Sequence, residues 1–206
     1  FQKADLMDYG SIYGMGSYFG EDYTASTLVR LGVLTKQNLL KSPVTPPSTP
    51  EPANKSLATT GPGGGPPVPT TPAPASASEA LTDASATALM QKQLQGINLT
   101  QSTVVLPNAV AEAIRGLQDE LTTKLNASNL SAGWVPARAL DPVLRKQTAD
   151  FIIYSALTTV ARRPGTTGSW TENWPFEPSV GNTPTTNTFH WTWISFTFTF
   201  VLMGLV

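Results

Sequence analysis

The sequence predicts a mainly α extramembrane domain, interrupted by a disordered proline-rich insert and followed by the start of a transmembrane helix. Three observations predict this organisation. Apolar residues recur at three- and four-residue spacing from Val110 to Leu125, which is one face of an amphipathic helix. Eleven of the 18 prolines lie between Pro43 and Pro74. Residues 189–206 carry no charged side chain and are mostly apolar.

The N-terminal region combines a loop, a short helix and then the insert. Residues 1–42 form a glycine- and tyrosine-punctuated loop and a short helix, which Thr24 or Ser26 is expected to cap. Residues 43–78 bury too little apolar surface to offset their ordering entropy, so they are expected to be disordered or polyproline II. A docking site for a proline-binding partner is the less favoured alternative, because few basic residues flank the prolines.

Residues 79–165 are the helical remainder of the domain. A helix is predicted at 83–95, and a short extended pair is predicted at 97–106 from its Val-Val-Leu run. A second helix is expected to hold Pro107 in its first turn, where proline is tolerated.

Three elements are predicted in the C-terminal region: the closing helix, which is the last helix of the domain, then a collar and a membrane helix. Asp141 can cap the closing helix, Pro142 occupies its first turn, and Pro164-Gly165 stops it. Residues 166–188 are expected to form a membrane-proximal collar. Residues 189–206 would rise about 27 Å as a helix, slightly short of the hydrocarbon thickness, which predicts a truncated transmembrane helix.

Composition excludes several classes of function. The net charge is −1 and only 13% of residues are charged, so no basic field attracts nucleic acid. There is no cysteine and only one histidine, which excludes disulfides, thiolate metal sites and a histidine-based triad within the chain. No catalytic residue and no cofactor is therefore expected in this segment. The start Phe1-Gln2-Lys3 resembles neither an initiator nor a signal peptide, so a fragment of a longer protein is expected.

The segment 12–19, Ile-Tyr-Gly-Met-Gly-Ser-Tyr-Phe, resembles part of the cytochrome c subunit of bacterial nitric oxide reductases. There a Cys-x-x-Cys-His haem-attachment box runs into Leu-Leu-Gly-x-Gly-Ala-Tyr-Phe. The box would fall on Leu6, Tyr9 and Gly10, which supply neither thiols for thioethers nor an imidazole for iron. The chain thus resembles the quinol-dependent nitric oxide reductases, whose N-terminal domain keeps a cytochrome c-like fold without haem.

A second resemblance to the same family lies just before the apolar C-terminal run. Residues 163–165, 170–178 and 181–185 resemble the family's Arg-Pro-Gly, Tyr-Thr-Asn-Asn-Trp-Pro-x-Glu-Pro and Gly-Asn-x-Pro-Thr motifs. The chain departs from the family at Trp170, where tyrosine is usual, and at Glu172, where asparagine is usual. The fold that the resemblance implies is a haemless cytochrome c-like domain.

The resemblance also implies a role for Tyr18 and an identity for the parent protein. The family's equivalent tyrosine helps to complete a calcium site, so Tyr18 is a candidate calcium contact through an oxygen; a packed loop aromatic is the alternative. The parent is expected to carry haem b, haem b3, non-haem iron and calcium. Its expected partners are quinol, nitric oxide and the catalytic transmembrane part of the same polypeptide. Its expected location is the bacterial inner membrane, with this domain facing the periplasm.

Alternatives of other classes stay open at this point. A nitric oxide dismutase-like relative would share this region. A membrane-anchored binding or structural protein with a proline-rich stalk would need no enzymatic parent. An outer-membrane strand protein is suggested by the alternation at 195–200, although the apolar run that follows favours a helix. His190 is expected to be an interfacial anchor beside Trp191 rather than a haem ligand, and Trp170, Asn173 and Trp174 are expected to fix the domain's lower edge to the membrane surface.

Overall fold

A computed structural model describes residues 1–2, 6–17, 19–41, 81–126 and 140–205. The predicted mainly α class is confirmed, with one small hairpin added. The predicted insert at 43–78 lies outside the described residues. The elements in chain order are a 3-10 turn Leu6–Asp8, strands β1 Ser11–Ile12 and β2 Met15–Gly16, helices α1 Tyr23–Lys41, α2 Asp83–Gln95, α3 Asn108–Lys124 and α4 Pro142–Val160, a 3-10 turn Pro178–Val180, and helix α5 Thr186–Leu205.

Helix α1 lies at the centre of the described domain and packs against α2, α3 and α4. Its residues Leu28 and Leu31 are fully buried. The apolar stripe predicted for α3 faces this core, because Val110, Leu117 and Leu121 are each at most 2% exposed. Burying such a side chain contributes about 1.5–3 kcal/mol. The core is therefore built by the helix faces that the sequence spacing indicates.

The start of α4 follows the predicted signals, and the start of α3 differs from them by one residue. Asp141 caps α4 as predicted, since its Oδ1 accepts a hydrogen bond from the Leu144 amide at 2.9 Å. Pro142 is the first residue of α4, also as predicted. Pro107 lies one residue before α3 rather than in its first turn, and it provides no side-chain capping bond.

The extended pair predicted at 97–106 is wrong. These residues form turns and irregular backbone, and the one strand pair within the described ranges is β1 with β2. The Asn98 side chain accepts a hydrogen bond from the Thr100 amide at 3.0 Å. This bond closes a local turn in place of the backbone hydrogen bonds that would pair two strands. Val105 is 82% exposed, so the Val-Val-Leu run has no sheet to cover.

A close approach attaches the C-terminal segment to the helical core. A Cβ placed on Gly32 in α1 would lie 2.5 Å from Val180 Cγ1, so a glycine is required where the 3-10 turn Pro178–Val180 meets α1. Gly181 follows with φ of 84°, a left-handed conformation that favours glycine. This contact places the collar beside α1 and α2.

Helix α5 begins at Thr186, three residues before the predicted start at 189. None of its described residues is buried. Residues 195–200 are helical rather than extended. Within the part of the chain that the structure describes, no helix combines the length and the apolar character needed to cross a membrane. The prediction of a helix is thus confirmed, and the prediction that this helix spans the membrane is not. The reason is that Thr, Ser, Asn and His residues interleave with the aromatic side chains of α5.

Candidate functional site

The hairpin of residues 11–16 turns tightly through Tyr13 and Gly14. Ser11 pairs with Gly16 and Ile12 with Met15. Both turn residues have positive φ, 55° at Tyr13 and 74° at Gly14, which is the pattern of a type I′ hairpin. A tyrosine in this conformation is strained by about 1–2 kcal/mol, so contacts elsewhere must hold it.

The Asp22 carboxylate provides part of that support. Its Oδ2 accepts a hydrogen bond from Ser11 Oγ at 2.7 Å and a second, short one from the Gly14 amide. Its Oδ1 accepts a hydrogen bond from the Ala25 amide at 2.8 Å, which caps the first turn of α1. One side chain therefore joins the hairpin to α1.

The predicted caps of α1, Thr24 and Ser26, are wrong because Asp22 fills that position. An aspartate directly before the first helical residue is the signal that identifies the cap. Thr24 instead lies in the domain interior, where it is fully buried.

Hydroxyl groups extend the support from the hairpin to α4. Tyr13 Oη lies 2.8 Å from Thr158 Oγ1, and the Tyr13 amide donates to Thr24 Oγ1 at 3.3 Å. Thr24 Oγ1 in turn lies 3.1 Å from Ser155 Oγ. The side-chain contacts join residues more than 130 positions apart, so the strained turn is fixed by the packing of α1 against α4.

Tyr18, the candidate calcium contact, lies outside the described residues. The amide of Ser17 before it donates to the Met7 and Gly10 carbonyls, both at 3.1 Å. The side chain of Phe19 after it is 96% exposed. No group of three or more His, Cys, Asp or Glu side chains that could hold a metal ion occurs among the described residues. The calcium role of Tyr18 therefore stays a prediction.

The haem-attachment box positions at Leu6 and Gly10 are packed without room for haem ligands. Leu6 is fully buried, and its carbonyl accepts the Tyr23 hydroxyl at 3.3 Å. A Cβ on Gly10 would lie 2.6 Å from the Glu21 carbonyl oxygen and 2.6 Å from the Tyr23 ring. Real Cβ atoms do not approach neighbours this closely, so an imidazole at position 10 does not fit beside Tyr23. The residues present therefore do not suit a covalently attached haem.

Tyr23 is the residue that sequence reasoning missed at this site. It is fully buried, and burial together with the Glu21 carboxylate raises its pKa to about 12. Burial also raises the pKa of Glu21, against the opposing charge of Lys124. Both shifts mark a poorly solvated interior behind the hairpin.

The collar is held by a hydrogen-bonded chain that ends at the start of α5. Arg163 pairs with Glu172, whose second carboxylate oxygen accepts Thr185 Oγ1 at 3.0 Å. Thr185 Oγ1 also accepts the Thr188 amide at 3.1 Å and so caps α5. Glu172, which departs from the family's usual asparagine, thus links α5 to the segment after α4.

The collar and the hairpin meet at Trp174 and form one surface. A Cβ on Gly14 would lie 3.5 Å from the indole Nε1 of Trp174. A cavity of about 310 Å³ beside this contact is lined in part by Tyr13, Tyr154 and Trp170. Trp170 and Trp174 are each 45% exposed. We call the surface formed by Tyr13, Gly14, Tyr154, Trp170 and Trp174 the hairpin–collar face.

The remaining predicted site residues lie apart from this face or within the collar. Asn173 accepts the Ser169 amide at 2.8 Å and donates to the Thr183 carbonyl at 2.9 Å, so its side chain shapes the collar. His190 is exposed, and its Nδ1 lies 3.0 Å from the Thr186 carbonyl oxygen. The membrane-anchoring roles of His190, Asn173 and the two indoles stay predictions.

A cytochrome c-like domain that lacks the groups for haem attachment is indicated by three features. These are the helical core, the hairpin, and the packing of Leu6 and Gly10 at the haem-attachment positions. The family model of the NorB cytochrome c-like domain of nitric oxide reductase matches residues 1–56 and 70–176. The chain belongs to this family, and the resemblance to nitric oxide reductases found in the sequence is confirmed. The internal gap of the match, residues 57–69, falls within the predicted insert, and residues 177–206 lie beyond the match. A comparison with curated proteins found no match.

Proposed function

We propose that this chain is the haem-free, non-catalytic periplasmic domain of a membrane nitric oxide reductase that takes its electrons from quinol. The parent would reduce nitric oxide to nitrous oxide with haem b, haem b3 and non-haem iron held elsewhere in the polypeptide. The domain would cover the catalytic transmembrane part in the bacterial inner membrane. Membership of the NorB family supports the reductase assignment.

The packing of Tyr23 against Gly10 is the observation that carries the proposal. A cytochrome c domain that passes electrons needs a ligated iron, and here a Cβ at the ligand position would lie only 2.6 Å from a buried ring. A domain without haem offers no electron path of its own. Quinol, which dissolves in the membrane, would then deliver electrons directly to the transmembrane part.

The exposed apolar surface supports a position against the membrane and the catalytic part. Helix α5 exposes Trp191, Trp193 and a row of phenylalanines, and no described residue of the chain covers them. Exposed apolar patches of this kind mark interaction sites. Indoles at the start of a helix are typical of a membrane interface.

The haem-free state gives a direct test. We expect the chain, expressed together with cytochrome c maturation machinery, to acquire no covalent haem. Restoring the box with Leu6→Cys, Tyr9→Cys and Gly10→His is also expected to fail, because the imidazole would overlap Tyr23. The measurement is a Soret absorbance that survives denaturation. Such a band in the unmodified chain would contradict the proposal, and a haem-binding cytochrome c matured in parallel is the control.

Tyr18→Phe in the full-length parent tests the calcium role. A calcium ion screens nearby negative groups, so the loss of one oxygen ligand should perturb the local field more than the packing. We expect lower calcium content and slower electron transfer between the haems, with unchanged folding. Calcium content, haem reduction kinetics and nitric oxide consumption in quinol-supplied membranes are the measurements. Normal values of all three would leave Tyr18 as a packing residue, and oxygen release without nitric oxide reduction would assign the parent to the dismutase branch.

A further inference from the structure

A polar groove runs from the C-terminal end of α2 to the start of α5. It has two parts of about 400 and 290 Å³, which share Gln95 and Arg162 in their lining. Lys92 and Arg162 are its charged residues, and no carboxylate lines either part within the described chain. The rest of the lining is largely amide and hydroxyl groups, among them those of Gln91, Thr183 and Thr185. The groove is therefore positively charged and rich in hydrogen-bonding groups.

Arg162 is held in place at the junction of the two parts. Its amide donates to the Gln95 carbonyl at 3.2 Å, and its Nη2 donates to Gln95 Oε1 at 2.7 Å. Gln95 in turn donates from Nε2 to the Gly181 carbonyl at 3.3 Å. The other guanidinium N–H groups have no protein acceptor among the described residues. A fixed guanidinium with free donors is suited to phosphate oxygens.

The positive charge of the groove is not cancelled by the nearby collar acid. Glu172 makes its ion pair with Arg163 and accepts the Thr185 hydroxyl, so both of its oxygens are occupied. Lys92 is exposed and makes no ion pair with any described residue. Two cationic side chains are thus available to an anion in the groove.

The groove opens at the start of α5, whose residues 189–205 are all exposed and mostly apolar. Thr186, the first residue of α5, lines the smaller part, and α5 extends over 20 residues without a charged side chain. The positive end of the helix dipole faces this region and adds to the field of the two side chains. A phosphate site continuous with an apolar surface matches a phospholipid better than a free phosphate ion.

We propose that this groove binds the phosphate headgroup of an anionic membrane phospholipid, with Arg162 and Lys92 contacting its phosphate oxygens and the acyl chains lying along α5. The inference rests on the proposed function in one respect, because α5 must lie against the membrane. It adds a lipid partner and two headgroup-binding residues to that function.

The test measures thermal unfolding of the full chain in detergent with added short-chain lipids. We expect dihexanoyl phosphatidylglycerol to raise Tm in a saturable manner, and dihexanoyl phosphatidylcholine and inorganic phosphate to have little effect. The double variant Lys92→Gln, Arg162→Gln should weaken the apparent affinity for phosphatidylglycerol roughly thirtyfold, since two basic contacts to an anionic lipid are lost. Lys92→Gln alone, which removes no ion pair of the described fold, should weaken it roughly fivefold.

The control is the double variant Arg115→Gln, Lys146→Gln, which removes the same charge from exposed sites on α3 and α4. An equal loss in both double variants would mean attraction by net charge only and would overturn the proposal. Equal stabilisation by phosphatidylcholine or by inorganic phosphate would also overturn it, the latter in favour of a soluble anion. Failure of the chain to bind phospholipid vesicles, with selective binding of short-chain phosphatidylglycerol retained, would overturn the membrane position of α5 and leave the headgroup site supported.

Discussion

Replacing Tyr23 with alanine is expected to lower the free energy of unfolding by about 3–5 kcal/mol, the usual cost of deleting a buried aromatic ring. The ring is fully buried. It lies against Gly10 and packs edge-on against the Phe1 ring, with the centroids of the two rings 5.8 Å apart. Because backbone at Gly10 and the Leu6 carbonyl lie against the ring, the cavity left by the substitution cannot collapse easily.

Chemical unfolding of the chain and of Tyr23→Ala measures this cost. Tyr23→Phe is the matched control, because it keeps the ring and removes only the hydroxyl that donates to the Leu6 carbonyl. We expect that variant to lose about 1 kcal/mol. A cost for Tyr23→Ala no larger than that of Tyr23→Phe would mean that the ring does not fill the box region.

The unmodified chain and Tyr23→Phe should differ in their response to alkaline pH. The folded pKa of Tyr23 is raised to about 12, above the ordinary value of 10.0, by burial and by the Glu21 charge. A raised pKa means that the unfolded state releases its proton first, so stability is retained below pH 10 and lost as the pH rises towards 12. The loss is about 2–3 kcal/mol. Tyr23→Phe should lack this part of the pH dependence.

The closing helix α4 was predictable because its boundary signals are local. Asp141 and Pro142 act on the first turn that follows them, and no distant contact alters their effect. The apolar stripe on α3 was predictable for a similar reason. A spacing of about 3.6 residues is a property of the helix itself, and the stripe needs only one apolar surface to pack against. Packing against α1 then selected the face that the spacing had indicated.

The hairpin could not be predicted in this way, because distant residues hold its turn. Tyr13 adopts a positive φ in contact with Thr158, which lies 145 positions further along the chain. The extended pair expected near Val105 fails for the converse reason: a strand-forming composition has no effect where no second strand lies alongside. Contacts between distant segments decided both outcomes.

The candidate site was partly visible in the sequence. The positions Leu6, Tyr9 and Gly10 were identified from the resemblance to the family's haem-attachment box, and their side chains supply neither thiols nor an imidazole. The ring that occupies the space beside them belongs to Tyr23, which the sequence pattern left in the loop before the predicted helix, and only packing places it over Gly10. The Arg163 pair with Glu172 depends likewise on how the collar folds back towards α4.

Replacing Asp22 with alanine is expected to cost roughly 3 kcal/mol, because three hydrogen bonds to one carboxylate are lost together. Two of them hold Ser11 and Gly14 in the hairpin, and the third caps α1 at Ala25. Asp141→Ala is the matched control, since Asp141 caps α4 through one bond and holds no other described segment. We expect that control to cost about 1 kcal/mol.

The difference between the two variants measures the part of the Asp22 contribution that belongs to the hairpin. Amide hydrogen exchange should locate it: Gly14 and Ser17 should exchange faster in Asp22→Ala, while the amides of α4 keep their protection. Asp141→Ala should show the opposite distribution. Equal costs at the two sites, with unchanged exchange at Gly14 and Ser17, would mean that Asp22 acts only as a helix cap. The positioning of the hairpin would then depend on the Tyr13 contact with Thr158.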